Sequence, residues 1–193
     1  MSFPTPTEPH NHATAAAPAS ASAVRTIIWP LLRIALAFVF LWAFLDKTFA
    51  LGFATGRDPE TGEVAILGSA AWINGGSPTS GFLEFGTSGP LASSFSSLAG
   101  NPVIDWLFML GMGGVGIALL LGIGMRIAAA AGVAIMLLMR LAIWQSENNP
   151  VVDDHLIYAL LLIALAVQPE ALRGSLAAAW RCLPLVERFP ILR

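Results

Sequence analysis

Four apolar stretches constrain this chain more than any other feature of its sequence. They cover residues 27–51, 103–122, 127–145 and 151–168. A helix needs roughly 20 apolar residues to cross a bilayer, and the first three stretches meet that length easily. The fourth reaches it only by including Val151, Val152 and residues near Gln168. The pattern predicts an all-α membrane protein, a bundle of four transmembrane helices.

The composition agrees with a chain that lies in lipid. Charged residues make up 11% of the 193 residues, whereas a soluble domain carries about 25%. The net charge of −2 argues against a nucleic-acid partner, because no basic patch is present to neutralise phosphates. Cys182 is the only cysteine, which excludes an internal disulfide redox pair and covalent haem attachment. Nine arginines against one lysine are associated with a GC-rich bacterial genome.

The distribution of charge predicts the orientation. If both termini are cytoplasmic, seven arginines lie inside, and only Lys47, Arg57 and Arg140 lie outside. The positive-inside rule favours this multi-pass topology in a bacterial cell (plasma) membrane. Residues 1–24 contain no basic residue, which is unlike a signal peptide, and we predict a disordered cytoplasmic tail. Residues 25–168 then form the membrane domain.

Several local features refine this domain. We predict that residues 52–102 form an ordered outer cap, because this long segment contains aromatic residues as well as turn formers. Residues 169–193 are expected to form a cytoplasmic tail with an interfacial helix. Pro30 is placed in the first turn of the first helix, and Arg33 near its inner end is expected to snorkel to water. A stripe of Gly114, Ala118 and Gly122 predicts close helix packing.

Charged and aromatic residues converge at the outer ends of the helices. Charge inside a bilayer is costly and marks a functional site by default. Arg140 lies well within the third helix, with Trp144 one turn later on the same face. Two hypotheses remain open: a structural network, or a site that binds a quinone head group or a small anion. No spacing typical of a metal site is present. The candidate ligand-binding residues are Lys47, Asp105, Arg140, Trp144, Asp154, His155 and Tyr158.

Four segments carry a resemblance to a known family. They are the first helix from Arg33 to Lys47, the loop 72–83, the turn 116–126 and the polar entry 148–155 to the last helix. Over residues 25–168 the chain resembles the DoxX/DoxD family of small four-helix membrane proteins. DoxD members are the small subunit of thiosulfate:quinone oxidoreductase.

The resemblance implies a membrane subunit of a redox system that handles quinone together with a partner subunit. It carries over no catalytic residue, so any enzymatic role is at most that of a subunit of a quinone-reducing oxidoreductase. The alternative is a non-catalytic accessory or assembly subunit of a respiratory or oxidoreductase complex in the membrane. Quinone is the one cofactor that the resemblance implies. The expected partners are the lipid bilayer and other membrane or redox subunits.

Overall fold

The computed structural model describes residues 19–144, 149 and 151–192. Within these residues the chain is helical and contains no β-strand, apart from two isolated bridges, Arg57 with Val64 and Ser88 with Ile143. The predicted tail therefore lies largely outside the described residues, as do residues 148 and 150 of the polar entry to the last helix. The α-helices are α1 (Ala19–Phe49), α2 (Ser80–Phe85), α3 (Ala92–Ser96), α4 (Pro102–Leu121), α5 (Met125–Ala142), α6 (Asp154–Val167), α7 (Ala177–Arg181) and α8 (Pro184–Arg188).

Three of these helices, α1, α4 and α5, are long and apolar enough to cross a membrane. The chain is therefore an all-α, multi-pass membrane protein. The fourth predicted span corresponds to α6, which has 14 residues and so a length of about 21 Å. That is less than the roughly 30 Å of a hydrocarbon core. Asp153 makes the helix begin late, because its carboxylate accepts a hydrogen bond from the Leu156 N–H at 3.1 Å and caps the first turn.

The first helix differs from its prediction at the N-terminal end. It begins at Ala19 rather than at residue 27, so residues 19–24 are helical. Alternating alanines and serines precede the apolar stretch, and alanine has the highest helix propensity. Pro30 consequently lies inside α1 rather than in its first turn. Helices in lipid tolerate an internal proline because neighbouring groups satisfy the freed backbone carbonyl.

Arg33 is the largest correction to the predicted roles in α1. Its side chain is only 1% exposed, so it does not snorkel to water. Its guanidinium donates hydrogen bonds to the carbonyl oxygens of Leu119, Leu120 and Ala171. The last carbonyls of α4 have no partner within their own helix, and a cation is favourable at that end. Arg33 therefore joins α1, the end of α4 and the turn Pro169–Leu172.

Small residues set how closely the long helices approach. α4 packs between α1 and α5, and α5 packs against α6. A methyl group added at Gly116 would lie 2.6 Å from the Leu41 side chain of α1, and one at Gly132 would lie 2.7 Å from Leu162 of α6. Gly114, which the sequence placed in the packing stripe, instead faces open space. The buried glycines of α4 are Gly113 and Gly116, on either side of Gly114. The face of α4 that meets α1 is therefore rotated from the predicted face.

The segment between α1 and α4 (residues 50–101, the connecting segment) consists of turns, α2, α3 and the turn Trp72–Asn74. It contacts the same end of three helices. The Phe53 and Ala54 N–H groups bind the Asp46 carboxylate of α1, and the Ser88 N–H binds the Ala142 carbonyl of α5 at 2.9 Å. Asp105 holds the segment to α4. These bonds make the connecting segment an ordered layer over one end of the helices.

The C-terminal part is not the single helix that the apolar spacing predicts. It comprises the turn Pro169–Leu172, the short helices α7 and α8, and a last turn at Pro190–Leu192. Gly174 has a φ of +66°, and Pro184 begins α8, so the helix is interrupted twice. The Trp180 indole N–H binds the Leu192 carbonyl at 2.6 Å and folds these pieces together.

A pair of alanine substitutions tests the packing face of α4. We expect Gly116→Ala to lower the free energy of unfolding by about 1–3 kcal/mol, because the new methyl group overlaps Leu41. Gly114→Ala, which meets no neighbour, should change it by less than about 0.5 kcal/mol. Reversible unfolding in mixed micelles with increasing denaturing detergent measures both variants. Equal losses would contradict the assigned packing face.

Candidate functional site

A large cavity lies beneath the connecting segment, between α1, α4 and α5. Its volume is about 1010 Å³, which is ample for a molecule of drug or cofactor size. Apolar side chains line most of it, and hydroxyl groups of the connecting segment line one part. This first cavity is lined mainly by Lys47, Ser77, Thr79, Ser80, Phe82, Phe95, Phe108, Met112, Ile135, Leu138 and Met139.

Lys47 is the charged residue in the wall of the first cavity. Its Nζ lies 5.9 Å from the centroid of the Phe108 ring, a cation–π distance. Within the described residues the ammonium has neither a hydrogen-bond acceptor nor an ion-pair partner within 4.0 Å. It nevertheless keeps accessible surface, since no fully buried side-chain nitrogen of the described residues lacks a partner. The ammonium is therefore open to a ligand in the cavity.

The nearby acids are engaged elsewhere. Asp46, adjacent to Lys47, is 1% exposed, and its two carboxylate oxygens accept the Phe53 and Ala54 N–H groups at 3.1 and 2.9 Å. Asp105 is 7% exposed and binds the connecting segment. Both carboxylates act on Lys47 through their charge, but neither forms an ion pair with it. Their negative charges reduce the cost of holding the ammonium in an apolar wall.

Asp105 separates the first cavity from a second one. Its Oδ1 accepts hydrogen bonds from the Thr79 hydroxyl at 2.6 Å, the Ser77 hydroxyl at 2.9 Å and the Thr79 N–H at 3.3 Å. The second cavity, of about 530 Å³, is lined by Asp105 with Trp72 and Trp106, whose ring centroids are 4.7 Å apart. Ser77 and Gly76 line both cavities. The two spaces are therefore neighbours across a thin wall of polar groups.

Arg140 lies at the end of α5, in a network with the start of α6. Its guanidinium donates hydrogen bonds to the Ile143 and Trp144 carbonyls at 2.8 and 3.3 Å. Its Nε lies 3.7 Å from Asp153 Oδ2. Arg140 thus binds the carbonyl groups that follow α5 and pairs with Asp153, the residue that caps α6. Arg140 does not line either cavity.

His155 and Asp154 belong to the same network. The His155 Nδ1 lies 3.0 Å from Asp153 Oδ2 and 3.3 Å from Asp154 Oδ1. Burial raises the pKa of Asp153, but the Leu156 N–H, His155 and Arg140 lower it more, so the net shift is downward. One ligand atom from each of Asp153, Asp154 and His155 lies within 4.8 Å of the others, as in a metal site. The adjacent Arg140 guanidinium opposes a cation there, and Asp153 already caps α6.

The two aromatic candidates have different surroundings. The Trp144 N–H binds the Ser88 hydroxyl at 3.1 Å, and Gly89 lies directly against the Trp144 side chain. Trp144 is 51% exposed. Tyr158 packs against the core formed by the long helices. Neither residue lines the first cavity.

The predicted site residues therefore separate into two groups. Lys47 and Asp105 lie at the two cavities, while Arg140, Asp154 and His155 form the network between α5 and α6. No pattern in the sequence selects Ser77 or Thr79, because short hydroxyl side chains in a long loop are common. The string 72–83 that carried the family resemblance does contain both.

Comparisons with protein-family models, with curated proteins and with solved structures found no match to this chain.

The Arg140 network yields a prediction about stability. We expect Arg140→Gln and Asp153→Asn each to destabilise the protein, with a coupling between them of about 0.5–3 kcal/mol in a double-mutant cycle. Because the pKa of Asp153 is lowered in the folded state, this stabilisation is present at neutral pH. It is lost as the pH falls through the folded pKa. Unfolding in mixed micelles at neutral and acidic pH measures it, and strictly additive effects at neutral pH would contradict the pairing.

Proposed function

We propose that this chain is a membrane subunit of a redox system that binds quinone in the first cavity, as the resemblance to DoxD proteins implies. The observation that carries the proposal is the Lys47 ammonium in the wall of an apolar cavity of about 1010 Å³. The described residues offer this ammonium no hydrogen-bond acceptor and no ion-pair partner. A charge in such a place is expensive to maintain and by default serves a ligand.

The chemistry of the cavity fits a quinone in two respects. A quinone has carbonyl oxygens that accept hydrogen bonds and a ring and tail that are apolar. Lys47 and Ser80 offer donors at one part of the wall, while Phe82, Phe95 and other apolar side chains cover the remainder. We infer that the head group lies near Lys47 and that the ring packs among the aromatic side chains.

Electrons must come from another protein. The chain has one cysteine, and His155 is the only histidine among the long helices, so neither a dithiol nor a haem with two histidine ligands can form within it. A partner subunit with a redox cofactor would supply the electrons, and this chain would supply the quinone site. We place it in the bacterial cell membrane with four spans, both termini cytoplasmic and the connecting segment outside.

A second candidate, a non-catalytic accessory subunit, is favoured by the surface of the connecting segment. Phe85 is 85% exposed, Phe53 69% and Ile66 61%. Such apolar side chains outside the long helices are suited to contact with another subunit. This role leaves the Lys47 ammonium without an explanation, so we rank it second.

Substitution of Lys47 tests the quinone site. We expect Lys47→Met to weaken binding of decylubiquinone roughly tenfold or more, because a hydrogen bond from a charged donor contributes about 1.5–3 kcal/mol. Lys47→Arg should restore part of the affinity. The measurement is equilibrium binding to the purified full chain in lipid nanodiscs.

Arg140→Gln is the matched control, since it removes a charge from the other candidate group, away from the cavity. It should leave quinone affinity within about twofold, a difference of about 0.4 kcal/mol. If Arg140→Gln lost the quinone and Lys47→Met kept it, the site would lie at the Arg140 network. If wild type bound no decylubiquinone, the quinone proposal would be wrong.

A further inference from the structure

We propose that Thr79 and Asp105 form a proton relay that connects the quinone in the first cavity with water in the second cavity. The inference rests on the proposed function, because it concerns the protons that quinone reduction consumes. It assigns a role to two buried polar residues that quinone binding alone does not require.

The hydrogen-bond geometry gives the relay its path. The Thr79 hydroxyl lines the first cavity and donates to Asp105 Oδ1 at 2.6 Å, the short distance expected of a hydroxyl bound to a carboxylate. Ser77 donates to the same oxygen at 2.9 Å and lines both cavities. A continuous chain of hydrogen-bonding groups therefore crosses the wall between the two spaces.

The second oxygen of Asp105 is where protons enter the relay. Within the described residues Oδ2 has no hydrogen-bond or ion-pair partner. It keeps accessible surface, because no fully buried side-chain oxygen in that part of the chain is without a partner. Asp105 lines the second cavity and not the first. The carboxylate thus has one accessible oxygen beside the second cavity while its other oxygen holds the two hydroxyls.

A purely structural role explains this arrangement less well. Asp105 does hold the connecting segment to α4, but a neutral asparagine could accept the same hydroxyl groups. The residue is 7% exposed, and within the described residues no cation lies within 4.0 Å of it. A buried carboxylate is expensive compared with a neutral acceptor. Proton transfer uses the ionisable group directly, in addition to the action of its charge on Lys47.

The proposed reduction accounts for every electron and proton. A quinone takes up two electrons, from the redox cofactor of the partner subunit, and two protons to become a quinol. For each proton, Asp105 is protonated from water in the second cavity, and Thr79 transfers its hydroxyl hydrogen to a quinone oxygen, which forms the new O–H bond. The Asp105 carboxyl group then returns a proton to the Thr79 oxygen. Asp105 is a carboxylate again at the end, ready for the second proton.

The test uses the purified full chain in lipid nanodiscs with decylubiquinone, reduced by an electrode so that no partner subunit is needed. A pH-indicating dye reports the rate of proton uptake, and quinone retention is measured separately. We expect Asp105→Asn to retain quinone but to slow proton uptake roughly 100-fold, within the range for loss of a general acid–base group. Thr79→Val should slow it in the same direction, and Thr79→Ser should rescue it. Glu84→Gln, an exposed carboxylate of the connecting segment, should have no effect.

The possible results distinguish failure of the proton relay from failure of the proposed quinone site. Failure of wild type to retain quinone would overturn the proposed function and the relay with it. Retention of quinone by Asp105→Asn with an unchanged rate of proton uptake would overturn the relay alone. A parallel loss of quinone and folding in Asp105→Asn, with Thr79→Val and Thr79→Ser equally fast, would assign both residues to structure and also overturn it. A solvent deuterium isotope effect that disappears in Thr79→Val would support the relay further.

Discussion

Backbone groups at the ends of helices have no partner in their own helix and cannot rely on water near lipid, and the structure depends on how they are satisfied. Four of the charged side chains around the long helices bind such groups. Arg33 binds the last carbonyls of α4, Arg140 those that follow α5, and Asp153 caps α6. Asp46 binds the amide groups that follow α1. Lys47 differs from these four, since the described residues offer it no backbone carbonyl and no carboxylate partner.

This difference is the basis for choosing among the charged residues. A charge inside a membrane protein indicates either a structural bond or a ligand, and sequence position alone does not distinguish the two. Arg140 and Lys47 are both near the same end of the helices, yet one binds carbonyl oxygens and the other faces a cavity. The rotation of each helix about its own axis decides the outcome. That rotation depends on close contacts such as Gly116 with Leu41, which hydropathy does not reveal.

The sequence predicted the helical class and the approximate position of each long helix, because the cost of exposing polar backbone to lipid makes apolar stretches helical. The sequence-based prediction was wrong for the helix ends that depend on side-chain chemistry. Alanine propensity extends α1 to Ala19, and the Asp153 cap starts α6 late. It also failed for Arg33, since a guanidinium that can snorkel to water can equally bind the carbonyls of a neighbouring helix. Among the candidate site residues it selected Lys47 and Asp105, but no pattern in the sequence links them to Thr79.

In the proposed function, the two cavities also bear on how this chain could take part in redox chemistry. Electron transfer needs a cofactor, but proton transfer needs only hydroxyl and carboxyl groups in hydrogen-bonded contact, and those are present in the wall between the cavities. In the proposed function the partner subunit delivers electrons, while this chain holds the quinone and provides a route for protons. The electron route and the proton route are then independent of each other, because the electron donor need not enter the cavity. The apolar lining of the first cavity then serves a second purpose, as it confines proton transfer to the part of the wall where the Ser77 and Thr79 hydroxyl groups bind Asp105.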